Sequence, residues 1–259
     1  MRRYIILVSV LTLLIGLSVW ITSLEWIKEG VYKPFSWSDV LNCTWSHLWM
    51  VLIAESIAIA IGVPLAILVT RPRFAIRLPF GILVNLPDFR KLAPVVVGGA
   101  NVGQTIPSLA LIAIMAPILG FGLNSALVAI VIWGLLPIVR NSYAAINNID
   151  PAIVEAARGM GMTRGQIARK IELPLALPII MVGIRISTVI TVGTTELAVL
   201  VGGAGLGRIT LTGVFSMQPL TILQGTALTS AMAIALGFIL EYIGRRMTAR
   251  GLRVKAQMS

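Results

Sequence analysis

The chain alternates long apolar runs with short polar segments rich in arginine. A helix that crosses the bilayer core needs about 20 mostly apolar residues. Six segments suit that role: Tyr4–Ile21, Leu48–Val69, a stretch within Leu92–Leu119, Leu123–Val139, Leu175–Val201 and Leu220–Ile243. The third is too long and too broken for one straight helix, because Pro94, Pro107 and Pro117 interrupt it. Proline inside a span is tolerated where neighbours satisfy the freed carbonyls. Leu78–Leu86 is apolar but too short to cross, and is expected at the cytoplasmic surface. The expected fold class is an all-α membrane protein of about six transmembrane helices.

Lysine and arginine concentrate in loops on the cytoplasmic side of a membrane. With the N-terminus inside and six alternating spans, 17 of the 21 basic residues fall in inside segments. Only Lys28, Lys33 and Arg208 fall outside, and Arg185 lies within a span. All four inside segments agree, so both termini are expected in the cytoplasm. Met1-Arg2-Arg3 and the apolar run after it resemble the start of a signal peptide. That run is longer than a usual signal core, and Thr22-Ser23-Leu24-Glu25 offers no small-x-small cleavage site, so a retained helix is expected.

Composition narrows the chemistry. The chain is 57% hydrophobic and 12% charged, about half the charge of a soluble domain. A net charge of +11 would suggest nucleic acid in a soluble protein. Here the basic residues sit between apolar runs, so lipid is the expected partner and nucleic acid is not. Cys43 is the only cysteine, which rules out an intramolecular disulfide and reads as a small apolar residue. His47, the only histidine, is expected as an interfacial polar residue at the start of a span. With one of each, no metal site and no catalytic constellation is expected.

The most informative polar segment is Asn147–Pro174, between the fourth and fifth spans. Asp150 suits a helix N-cap and Pro151 the first helical position. Ile149, Ile153, Ala157 and Met160 recur at helical spacing and predict one apolar face. Gly159 and Gly161 predict its end. Thr163-x-x-Gln166 is a capping box that starts a second short helix. Pro174 is expected to stop that helix near Leu173. Such an ordered helix-turn-helix would either lie on the membrane surface or dock into a groove on a partner.

Glu155-Ala156-Ala157, then Gly161 and Ile171-x-Leu173-Pro174 at their present spacing, resemble the EAA signature of permeases in binding-protein-dependent ABC importers. The position before the penultimate span fits the same family. The resemblance implies a type I ABC importer permease fold. It implies that Glu155, Ala156, Ala157, Gly161, Ile171, Leu173 and Pro174 form a cytoplasmic coupling helix and its surroundings, seated in a cleft of an ATPase subunit. Arg158 and Arg164 would then meet acids on that partner, or act simply as positive-inside residues. A second permease subunit, identical or homologous, and an external solute-binding protein are the other implied partners. ATP would be used by the ATPase. This chain, which has no Walker motif, is expected to bind no cofactor and to be no enzyme.

Three further stretches resemble permeases for glycine betaine, carnitine and choline: Gly103–Ala110, Leu136–Asn141 and Val192–Ala198, with Gly202–Gly207 beside them. The order Thr194-Thr195-Glu196 departs from the small-residue pattern of that branch. The resemblance implies a substrate path through Gln104, Pro107, Thr194, Thr195 and Glu196. Another small solute, such as an amino acid or sulfonate, is the alternative cargo. Glu55, Arg185 and Glu196 are charges within or near spans, where charge is costly and so marks function. Glu196 would attract a cationic amine or pair with Arg208; Glu55 would pair with Arg185. Five tryptophans, Trp20, Trp26, Trp37, Trp45 and Trp49, gather at the outer ends of the first two spans and read as an interfacial belt.

The domain reading is a first helix and external loop over 1–45, the importer transmembrane domain over 46–244 with the EAA loop at 150–174, and a basic cytoplasmic tail over 245–259. The expected location is the bacterial inner membrane. An ion-coupled secondary transporter is the rival, but no inverted repeat is visible.

Overall fold

The computed structural model describes residues 2–23, 35–71, 75–77, 83–85 and 88–247. The loop holding Trp26, Lys28 and Lys33, parts of Leu78–Leu86, and the tail beyond Met247 lie outside the described residues. The helices are α1 (Arg2–Ser23), α2 (Trp37–Val69), α3 (Ala93–Gly103), α4 (Ser108–Leu119), α5 (Leu123–Asn147), α6 (Pro151–Gly159), α7 (Arg164–Ile167), α8 (Leu173–Thr195), α9 (Gly207–Phe215) and α10 (Pro219–Met247). The one extended pairing among the described residues is antiparallel, Ala75–Arg77 against Leu83–Asn85, with Ile76 opposite Val84. It occupies part of the apolar segment that was too short to cross.

Among the described residues, four apolar helices are long enough to cross a bilayer: α2, α5, α10 and a continuous run from Arg164 to Val201. Helices α3 and α4 form a bent pair that counts as one further broken span. The 22-residue α1 contains a shorter apolar stretch, Ile6–Ile21. These are the six apolar segments expected. Helix α2 begins well before Leu48, and a local signal explains why. The Ser36 hydroxyl accepts from the Asp39 amide at 3.2 Å and the Val40 amide bonds the Ser36 carbonyl at 3.0 Å. Ser36-x-x-Asp39 is thus an N-terminal cap in front of Val40. In the third segment Pro94 occupies the first turn of α3, where no amide is needed. The chain breaks ahead of Pro107, the N-cap of α4.

Two compact units divide the chain. The first comprises Met1–Ile57, Ile106–Gly134 and Thr188–Ile239. Its core joins Met50 and Ala54 to Ile112, Ala116, Ile130 and Val201. Cys43 packs with Val40, Leu206 and Ile209 in a second cluster, as a small apolar residue. The second unit comprises Ala58–Thr105, Leu135–Ser187 and Leu240–Ser259. Its core is Ala58, Ile138, Ala145, Ala176, Ile180 and Ile184. There Gly183 lets α8 approach α5 closely, since a Cβ would fall 2.6 Å from the Asn141 Cβ.

Candidate functional site

The EAA segment lies wholly in the second unit. The Asp150 side chain accepts from the Ala152 amide at 2.9 Å and so caps α6, with Pro151 in the first turn. At the other end the Gly161 amide bonds the Arg158 carbonyl at 2.9 Å and the Met162 amide bonds the Ala157 carbonyl at 3.2 Å. That pair of bonds is the Schellman closure, which needs a left-handed residue. Gly161 supplies it with φ +77°. Gly159 does not share this role: it is the last residue of α6 and has no positive φ. Thr163 and Gln166 cap each other's backbone, at 2.8 Å and 3.3 Å, and start α7.

Two expectations for this segment need correction. The second short helix does not stop at Leu173. A π turn over Ala168–Glu172 joins α7 to α8, and the Leu173 amide reaches back to the Ala168 carbonyl. The wider turn absorbs the missing amide and ring bulk of Pro174, which would otherwise break the helix. The apolar face also divides. Ala157 is buried and Ile149 packs on the unit's core, whereas Ile153 is 43% and Met160 73% exposed. Glu155 and Ala156 are exposed too. Gly161, Leu173 and Pro174 are exposed and Ile171 is half-buried.

A cavity of about 640 Å³ lies beside this segment in the second unit. The end of α2, the end of α5, α6 and α7 line it. Arg71 and Glu172 form an ion pair on its wall, and the Arg90 Nε donates to the Thr70 carbonyl at 3.2 Å. The 101-residue separation of the Arg71–Glu172 pair left no sign in the sequence.

The charged residues of the spans resolve into specific partners. In the second unit Arg185 pairs with Glu241 at 2.9 Å, and Arg245 pairs with the same carboxylate. In the first unit Glu55 accepts from the Thr191 hydroxyl at 3.2 Å. Glu196 Oε1 accepts from the Thr210 hydroxyl at 3.2 Å and from the Thr229 hydroxyl at 2.5 Å. Arg208 stands over the Phe35 ring, 5.9 Å from its centroid. Thr194 and Thr195 are buried, and their hydroxyls bond the Ile190 and Thr191 carbonyls. Pro107 belongs to the first unit and Gln104 to the second.

His47 is not interfacial. It is fully buried in the first unit. Its Nδ1 accepts from the Leu206 amide at 3.1 Å, so in the neutral ring Nε2 carries the proton and donates to the Val192 carbonyl, 3.0 Å away. The glycines of Gly202–Gly207 serve this contact. Gly202 takes φ +88° to end the 3₁₀ turn Glu196–Val201. Gly205 takes φ +135° and lies against the imidazole, where a Cβ would fall 3.0 Å from Nδ1. Gly207 packs on the backbone of Glu196, and a Cβ there would fall 1.9 Å from its carbonyl oxygen. The glycine-rich loop is therefore a backbone-packing device. Four tryptophans of the expected belt, Trp20, Trp37, Trp45 and Trp49, are exposed, and Trp45 stacks on Trp49 with centroids 6.4 Å apart.

Apolar helices long enough among the described residues to cross a bilayer define an integral membrane protein, and one polar capped helix carries its Glu155-Ala156-Ala157 segment. The family described as "Binding-protein-dependent transport system inner membrane component" matches residues 77–250, and the chain belongs to it. The glycine betaine/carnitine/choline transport system permease protein OpuCB of Bacillus subtilis (strain 168) is 36% identical over 221 residues, 85% of this chain and 94% of that one. The osmoprotectant import permease protein OsmY of Salmonella typhimurium is 34% identical over 248 residues, 96% of both chains. Among solved structures, an inward-facing form of the MetNI methionine ABC transporter matches with TM-score 0.68 at 25% identity, over 82% of this chain and 98% of that chain. The fold is that of type I ABC importer permeases.

Proposed function

We propose that this chain is the permease subunit through which a quaternary-amine compatible solute, of the glycine betaine, choline or carnitine type, enters the cell. An external binding protein delivers the solute, and a cytoplasmic ATPase drives the cycle. A second permease subunit, the same or homologous, completes the path. The chain spans the bacterial inner membrane with both termini inside. Residues 1–45 form the first helix and outer loop, 46–244 the transport domain and 245–259 the basic tail.

The observation that carries this reading is the doubly capped α6. Its caps hold Glu155, Ala156, Ile153 and Met160 exposed on a short rigid helix, which is the form an amphipathic helix needs to seat in a partner's groove. Family membership supports an ATPase and a binding protein as partners. The transport roles that name OpuCB and OsmY support the solute class. Glu55 and Glu196 fit a cationic cargo better than an anionic one. We assign the path to Glu196, Thr194, Thr195, Gln104 and Pro107.

The test is uptake of labelled glycine betaine, choline, carnitine and methionine by cells that express this permease with its ATPase and binding protein and lack other routes. ATP-dependent uptake of the quaternary amines is expected. Glu196→Gln keeps an oxygen for Thr210 and Thr229 but loses the charge, so it should lower uptake of cationic choline while the protein stays folded. Uptake of methionine alone would overturn the solute assignment.

A further inference from the structure

We propose that the cavity beside α6 is a binding site for the headgroup of an anionic phospholipid of the inner leaflet. The inference goes beyond the transported solute and rests only on the cytoplasmic placement of this segment.

The cavity has two chemically different parts. Ile67 and Leu68 near the end of α2, and Ile146 and Ile149 around the end of α5, give an apolar wall. Arg71, Arg90, Arg158 and Arg164 stand around it, against only two acids, Glu155 and Glu172. Glu172 is taken by Arg71, so the surplus is positive. A pocket of about 640 Å³ is in the size range of sites that enclose a small organic group, ~300–1,000 Å³. Apolar side chains together with surplus positive charge, set where apolar helices end, suit an acyl-glycerol joined to a phosphate. Basic pockets between helices on the cytoplasmic side bind such headgroups.

The partner that would seat on α6 takes mainly the other face of the helix. At about 100° per residue, Pro151, Val154 and Arg158, which line the cavity, lie on roughly the opposite side of α6 from Ile153, Ala156 and Met160. The two sites therefore share Glu155, which also lines the cavity, and otherwise use different faces of α6. The lipid would fix the inner side of the helix whose outer side meets the ATPase, so its presence should stiffen the coupling segment.

Native mass spectrometry of the full-length purified chain tests this directly. The protein is delipidated in mild detergent, then mixed with equal amounts of phosphatidylglycerol and phosphatidylcholine of the same acyl composition. Preferential retention of phosphatidylglycerol is expected. Each arginine near a headgroup contributes roughly fivefold, so Arg90→Gln with Arg158→Gln should cut the preference by about 25-fold. Arg90→Lys with Arg158→Lys should keep most of it, which separates charge from folding. Arg169→Gln with Lys170→Gln removes the same charge from exposed positions that do not line the cavity and should leave it unchanged. Equal retention of the two lipids, or an equal loss with the Arg169 and Lys170 pair, overturns the proposal. Suppression of retention by inorganic phosphate alone would also overturn it, by assigning the site to a free anion.

Discussion

Gly161 is the one residue of the EAA segment held at positive φ. Its φ of +77° puts it in the left-handed region, and a Cβ added there meets nothing within 4 Å. A substitution therefore acts through the backbone and not through crowding. Placing alanine in that region costs ~1–2 kcal/mol, which is a factor of about 5 to 30 in a local opening equilibrium. The amides that report the opening are those of Gly161 and Met162, bonded to the Arg158 and Ala157 carbonyls. Hydrogen exchange followed by mass spectrometry on the peptide over 157–163 should show the Met162 amide exchanging ~5–30 times faster in Gly161→Ala. Asparagine tolerates the left-handed region, so Gly161→Asn should fall between wild type and alanine. Gly161→Pro, whose ring fixes φ near −65°, should abolish protection altogether. If alanine exchanges like wild type, or asparagine faster than alanine, the backbone argument is wrong.

Other substitutions probe the first unit. Gly207→Ala drives a Cβ into the Glu196 carbonyl and should sharply reduce the yield of folded protein, whereas Gly193→Ala, with open space around it, should be close to neutral; size-exclusion profiles in detergent distinguish them. His47→Leu leaves the buried Leu206 amide without the imidazole that accepts from it, at a cost of ~1–3 kcal/mol, and should lower the thermal midpoint. His47→Gln, which carries both a donor and an acceptor, should recover part of that loss. Glu241→Gln weakens the pairing of both Arg185 and Arg245 and should destabilise the second unit more than Arg245→Gln, which leaves the Arg185–Glu241 pair in place.

What the sequence announced and what it concealed follow from distance along the chain. The caps at Asp150, Gly161 and Thr163–Gln166 act within five residues, so each was visible as a short motif. The apolar runs were equally visible, because the bilayer demands a length. The start of α2 was also written locally, in Ser36-x-x-Asp39, but lay ahead of the apolar run that defined the expected span. Pro174 misled because proline is a helix stop in the ordinary case, and the π turn that accommodates it has no sequence signature. His47 looked interfacial from its place at the edge of a span. Its partners lie 145 and 159 residues away, and only the folded chain brings the Gly205 backbone against its ring. The pairing of Arg185 with Glu241 was concealed in the same way.

The most direct test of the central claim is photocrosslinking from a single position on α6. A photoreactive amino acid replaces Ala156, on the exposed side, in the native membrane, and the adduct is identified by mass spectrometry. A product containing an ATPase subunit with Walker motifs, absent when the same group replaces Gly193 on α8, is the result predicted. If Ala156 in a folded, membrane-inserted protein yields only lipid adducts, α6 lies on the membrane surface, and the coupling role assigned to Glu155, Ala156 and Ala157 is contradicted.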